Sequence, residues 1–148
     1  MSTTLYDQDF YAWANQQAWL LRDGKLAQAD IEHIAEEIES MGNAERRELE
    51  SRLAVVLMHL LKWQFQPERR GKSSRLTIIE QRRRLQRHLT AVPGLRANLP
   101  TVTTDAYGDA VIAAAWETEF DPEAFPAACP WSFEQIMNPD FWPSTGLS

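Results

Sequence analysis

Leu49-Glu50-Ser51-Arg52-Leu53-Ala54-Val55-Val56-Leu57-Met58-His59-Leu60-Leu61 is the stretch that decides the fold. Leu49, Leu53, Val56, Leu57, Leu60 and Leu61 recur three and four residues apart, which sets them on one side of an α-helix; a half-buried strand would alternate instead. The spacing predicts a helix from residue 44 to about 65 that buries this face and is ended by Pro67. Its longest apolar run, Leu53 to Leu61, is well short of the roughly 20 residues that a membrane span needs. The run therefore predicts a core helix.

Upstream, Ile31, Ile34, Ile38 and Met41 form a second stripe, expected to face the core from a helix starting between Gln28 and Asp30. Gly42 and Asn43 can be read as a C-cap and a fresh N-cap, or as a bend in one continuous helix. A first helix is expected from Asp7, as its cap, through Phe10, Trp13 and Leu20 to a stop before Gly24. Downstream, Gly71-Lys72-Ser73-Ser74 leads into a fourth helix with Ile78, Leu85, Leu89 and Val92 on its core face, stopped by Pro93-Gly94. A short helical turn follows at Leu95 to Leu99. Pro100 suits the first position of a fifth helix, whose Val102, Ala106, Ala110, Ala113 and Ala114 permit close packing.

From Phe120 to Pro143 the chain carries six aromatics and five of its eight prolines, which predicts a strap with one short helix near Ser132 to Met137. No segment shows the alternation of a strand, and no repeat or flexible linker interrupts the chain. The expectation is an all-α single domain over residues 1–148: a bundle of about five helices over 1–119, then a proline- and aromatic-rich strap and tail over 120–148.

Charge is segregated along the 148 residues. Residues 1–66 carry six bases and eleven acids, residues 67–96 nine bases and two acids, and residues 97–148 eight acids and no base, for a total of −6. The basic stretch either attracts an outside polyanion or is matched by the chain's own acids. The opening Met-Ser-Thr-Thr-Leu-Tyr-Asp-Gln-Asp-Phe has acids where a secretory signal has bases. The one cysteine, Cys129, allows no internal disulfide and no multi-cysteine metal site, so a reducing, cytoplasmic setting without membrane attachment is expected.

Tyr6-Asp7-Gln8-Asp9-Phe10-Tyr11-Ala12-Trp13, Glu36-Glu37-Ile38-Glu39-Ser40-Met41-Gly42, Glu45-Arg46-Arg47-Glu48-Leu49 and Leu57-Met58-His59-Leu60-Leu61-Lys62-Trp63 together resemble a bacterial family, domain of unknown function twenty-nine. Gln66-Pro67-Glu68-Arg69-Arg70, Cys129-Pro130-Trp131 and Pro139-Asp140-Phe141-Trp142-Pro143 extend the likeness over nearly the whole chain. The resemblance implies a small all-helical bacterial protein and brings with it no activity, ligand or catalytic residue.

His33, Glu37 and His59 are the candidate metal ligands, with Glu37 and His59 as the acid–base candidates. His33 and Glu37 share a helix side, and His59 would come from the neighbouring helix. No H-E-x-x-H or E-x-x-H motif supports the set, so no cofactor is implied. The competing reading is structural: Arg82 falls between Ile78 and Leu85 on an apolar face, and an interior guanidinium requires a carboxylate or several carbonyls. Glu37 is the expected partner. His59, beside Val55, Val56 and Trp63, then reads as a hydrogen-bonded core histidine.

Arg83, Arg84 and Arg87 fall on the outward side of the fourth helix, where a basic ridge can contact phosphates. The acidic whole, the lack of stacking aromatics and the absence of a helix-turn-helix frame disfavour nucleic acid as partner. Gly71-Lys72-Ser73 lacks the first glycine and the preceding strand of a phosphate-binding loop. Cys129 has no base nearby in sequence. The leading expectation is a non-enzymatic interaction or adaptor domain with a protein partner, contacting it through an exposed helix face or the strap. A metal-dependent or acid–base enzyme is the alternative, with nucleic-acid binding after it; the patterns leave open whether the chain is an enzyme.

Overall fold

The computed structural model describes residues 4–144; the first three residues of the opening and residues 145–148 of the expected tail lie outside the described residues. Within them the chain is all-α, with helices α1 (Leu5–Gln8), α2 (Phe10–Arg22), α3 (Ile31–Phe65), α4 (Lys72–Ala91), α5 (Leu99–Thr118) and α6 (Phe133–Met137), and no strand. Short 3-10 turns at Leu26–Gln28, Pro67–Arg69, Pro93–Asn98 and Pro122–Ala124 connect them. No helix among the described residues is long and apolar enough to cross a membrane. The chain divides into two compact units, Met1–Ala44 and Glu45–Ser148.

In the N-terminal unit, Thr4 caps α1 and Asp9 caps α2, its Oδ1 accepting from the Ala12 N–H at 3.0 Å. The cap of the main helix is thus Asp9 and not Asp7, because the chain leaves helical geometry at Asp9 and restarts there. Trp13, Gln17 and Leu20, spaced four and three apart, are the buried face of α2. Gly24 follows with φ of 72°, a conformation that costs glycine little. Gly42 and Asn43 neither end nor start a helix: α3 runs through them, since a single glycine lowers helix stability without stopping it.

The stripe on the first part of α3 departs from expectation. Ile31, Ile38 and Met41 are 56, 61 and 68% exposed, although their spacing is that of a core face. Ile34, the fourth member, is half-buried; periodicity makes the helix amphipathic, and the other three side chains of its apolar side stay exposed.

The C-terminal unit holds the core. Leu49, Leu53, Val56, Leu57, Leu60 and Leu61 of α3 are fully buried, with Ile78, Leu85 and Leu89 of α4 and Val102, Ala106, Ala110 and Ala114 of α5. Val92 and Ala113 are half-buried at the margin. The strap belongs to this core: Phe125, Trp131 and Ile136 are buried, and Phe133, Phe141 and Trp142 pack against it. Ser132 and Gln135 form a reciprocal capping box on α6, which lets five residues hold a helix that length alone would not.

Candidate functional site

The N-terminal unit organises a polar ladder around the start of α3. Asp30 caps that helix, its Oδ1 3.3 Å from the His33 N–H, while its own N–H donates to Gln17 Oε1 at 2.7 Å. Its Oδ2 accepts from Trp13 Nε1 at 3.0 Å and from His33 Nδ1 at 2.7 Å. Because a carboxylate only accepts, this fixes the proton on Nδ1. The Tyr6 ring stacks on the His33 ring with centroids 3.9 Å apart, and its hydroxyl donates to Glu37. The bond to Glu37 pushes the Tyr6 hydroxyl up to about 12. The bond to Asp30 raises His33, and the same bond lowers Asp30. The result is an oriented aspartate–histidine pair, held by one tryptophan and one glutamine.

The candidate set His33, Glu37 and His59 is distributed differently from its expectation. His33 is engaged with Asp30 and Glu37 with Tyr6. His59 belongs to α3 as well and not to a neighbouring helix, because α3 is continuous through Gly42. It is half-buried, its Nδ1 has no hydrogen-bond partner among the described residues, and burial lowers its pKa, with Lys62 lowering it further. Each candidate therefore has a local environment of its own.

Arg82 is interior, as its place on the α4 face requires, at 4% exposure. Its partners are carbonyls and not the Glu37 carboxylate: Nε donates to Ile136 O at 2.7 Å and Nη2 to Phe141 O at 2.9 Å, with the guanidinium over the Trp142 ring. Burial lowers its pKa. The side chain ties the strap to α4, so the Glu37–Arg82 pair gives way to an arginine that holds the backbone on both sides of Pro139.

Glu45, Glu48 and His88 are brought together with ligand-capable atoms all within 4.8 Å of one another. His88, 8% exposed on α4, directs Nε2 to Glu45 at 2.8 Å and Glu48 at 3.2 Å on α3. Glu48, Arg52, Arg84, Arg87 and His88 line one shallow depression, and Arg52 Nε stands 3.7 Å from Glu48. The trio has no joint signature in the sequence. The i, i+3 pair Glu45 and Glu48 was visible, but the histidine comes from the following helix. Of the basic ridge, Arg83, Arg84 and Arg87 are exposed, and Arg84 reaches Glu80 at 2.6 Å on its own helix. Cys129 is half-buried, donates to Trp131 O, and has its thiol pushed up by burial, the opposite of an activated nucleophile.

A family model described as a domain of unknown function, DUF29, matches residues 5–142. The chain belongs to the DUF29 family. That span takes in the aspartate–histidine pair, the exposed residues of α3, the Arg82 anchor and nearly all of the strap. Comparison with curated proteins and with solved structures finds no match. DUF29 membership fixes no activity, and the site has to be read from its own chemistry.

Proposed function

We propose that this DUF29 chain is a non-enzymatic interaction domain of the bacterial cytoplasm and that its N-terminal unit is the docking element. The observation that carries this reading is the uncovered stripe Ile31, Ile38 and Met41, with Trp19, Leu21 and Leu26 also exposed in the same unit. Large apolar side chains clustered on so short a stretch are what partner surfaces present. Residues 1–44 hold eight acids and two bases, so the unit is strongly negative. Charge complementarity then selects the occupant: a helix of another protein with an apolar face bordered by lysine or arginine. A second copy would bring the same negative charge to the contact.

The test uses the full chain and a helical peptide with leucines on one face and lysines on its borders. Binding that weakens with salt and is lost in the Ile38→Glu, Met41→Glu double variant supports the reading. Equal binding by that variant rejects it. So does wild-type dimerisation that the same double substitution abolishes, since the stripe would then be occupied by a second copy.

A further inference from the structure

The basic turn between α3 and α4 has a consequence separate from the docking stripe. A cavity of about 260 Å³ lies there, lined by Lys62 at the end of α3, Arg69 and Arg70 of the turn, Ser74 of α4 and Glu117 of α5. Three cations face one acid across it, and Glu117 is 3.4 Å from Lys62. Arg70 is fixed without being neutralised: it donates to Trp63 O at 2.6 Å and Pro143 O at 3.4 Å and lies over the Trp63 ring. Among the described residues neither Arg69 nor Arg70 has a carboxylate partner.

The backbone adds to this charge. Ser74 is in the first turn of α4, a helix of 20 residues whose N-cap is Gly71 and has no side-chain cap. Arg75 is the first residue of the helix to donate back, to Gly71 O at 3.0 Å, which leaves the N–H groups of Lys72, Ser73 and Ser74 ahead of the ladder. That turn contains no acid and carries Lys72 and Arg75. Stability alone favours a capping oxygen and negative charge at this pole. Here the sequence concentrates positive charge at the positive end of the helix dipole and omits the cap, a local conflict that a bound anion would resolve.

We propose that this cavity binds a phosphate-class oxyanion, as inorganic phosphate or as a small phosphate monoester. A dianion matches Arg69 and Arg70, the two lining cations without a carboxylate partner among the described residues, better than a single carboxylate does. Its tetrahedral oxygens can take the Ser74 hydroxyl and the Arg69 guanidinium, both in the lining, beside the positive end of α4. The cavity is at the other end of α4 from Leu85 to Leu89 and does not use Arg83, Arg84 or Arg87.

Thermal unfolding and isothermal titration of the full chain, in phosphate, glycerol phosphate or chloride at equal ionic strength, test it. Phosphate or its ester should stabilise the chain where chloride does not. The Arg69→Gln, Lys72→Gln variant, altered at two exposed positions, should weaken binding by about tenfold or more. Gly71→Asp places a carboxylate at the cap, in an extended conformation with nothing near the added Cβ. It should raise the melting temperature without ligand and remove the response to phosphate. Tighter binding of glycerol phosphate identifies a phosphorylated small molecule as the occupant; equal or weaker binding identifies phosphate itself. Stabilisation by phosphate no greater than by chloride overturns the proposal, as does a phosphate response that survives Gly71→Asp.

Discussion

Asp30 and His33 are joined twice, by a side-chain bond of 2.7 Å to Nδ1 and by the cap bond of 3.3 Å to the His33 N–H, so one carboxylate starts α3 and orients an imidazole on it. The Trp13 indole holds the same oxygen that His33 uses. The local order of the N-terminal unit is therefore tied to two titrations.

Their signs differ. His33 is raised above its ordinary 6.5, so its contribution is fully present below 6.5 and is lost as pH rises through the raised folded value. Asp30 is lowered below 3.8, so its contribution is present above 3.8 and is lost as pH falls through the lowered folded value. The pair is strongest between those two ordinary values. An NMR titration should find His33 above its ordinary pKa and Asp30→Asn should bring it down. Amide protection factors at the start of α3, corrected for base-catalysed intrinsic exchange, should fall on the alkaline side in the wild type and stay level there in His33→Gln. An unshifted His33 in the intact chain contradicts the pairing.

The two halves of α3 should answer truncation in opposite ways. Leu57 is fully buried, and Leu57→Ala removes its packing and leaves a cavity, a loss of about 2–5 kcal/mol in denaturant unfolding. Ile38 is mostly exposed, so Ile38→Ala should change stability by no more than about 0.5 kcal/mol. A large loss at Ile38 would mean that its side chain is covered in solution.

These two residues also mark what the sequence made legible. Around Leu57 the three-and-four spacing, the density of leucines and the Pro67 stop all agreed, and the helix and its buried face follow the pattern. Around Ile38 the same periodicity is present, but it reports amphipathicity and not a neighbour, and here Ile34 is half-buried while Ile31, Ile38 and Met41 stay exposed. Arg82 was recognisable as interior from its place between Ile78 and Leu85, whereas its partners Ile136 O and Phe141 O were not, because carbonyls carry no signature in sequence. Glu45, Glu48 and His88 were hidden for a related reason: their convergence depends on how α4 packs on α3. Gly42 was ambiguous because a single glycine is compatible with both a cap and a helix interior.

Arg82→Lys should loosen the strap. A lysine keeps the charge but not the planar fork that reaches Ile136 O and Phe141 O together, and a charged hydrogen bond lost in the interior costs about 1.5–3 kcal/mol. Denaturant unfolding should show that loss, and limited proteolysis should cut between Asn138 and Trp142 faster than in the wild type. An unchanged cleavage rate would mean that the buried rings of the strap hold it without Arg82.

His59 provides an acid-sensitive element inside the C-terminal unit. Its imidazole is half-buried, Nδ1 has no hydrogen-bond partner among the described residues, and the neighbouring charges are Lys62, which lowers its pKa, and Glu117, which opposes that. Burial is the larger cause, so the folded chain favours the neutral ring and the folded pKa lies below the ordinary 6.5. The corresponding stability is present above 6.5 and is lost as pH falls through the lowered folded value. Urea unfolding of the wild type should show a midpoint that declines on acidification from about pH 6.5, over and above the decline in His59→Leu, which has no proton to take up. Parallel curves for the two proteins would place a water or other polar partner on Nδ1 and make the protonated ring tolerable where it stands.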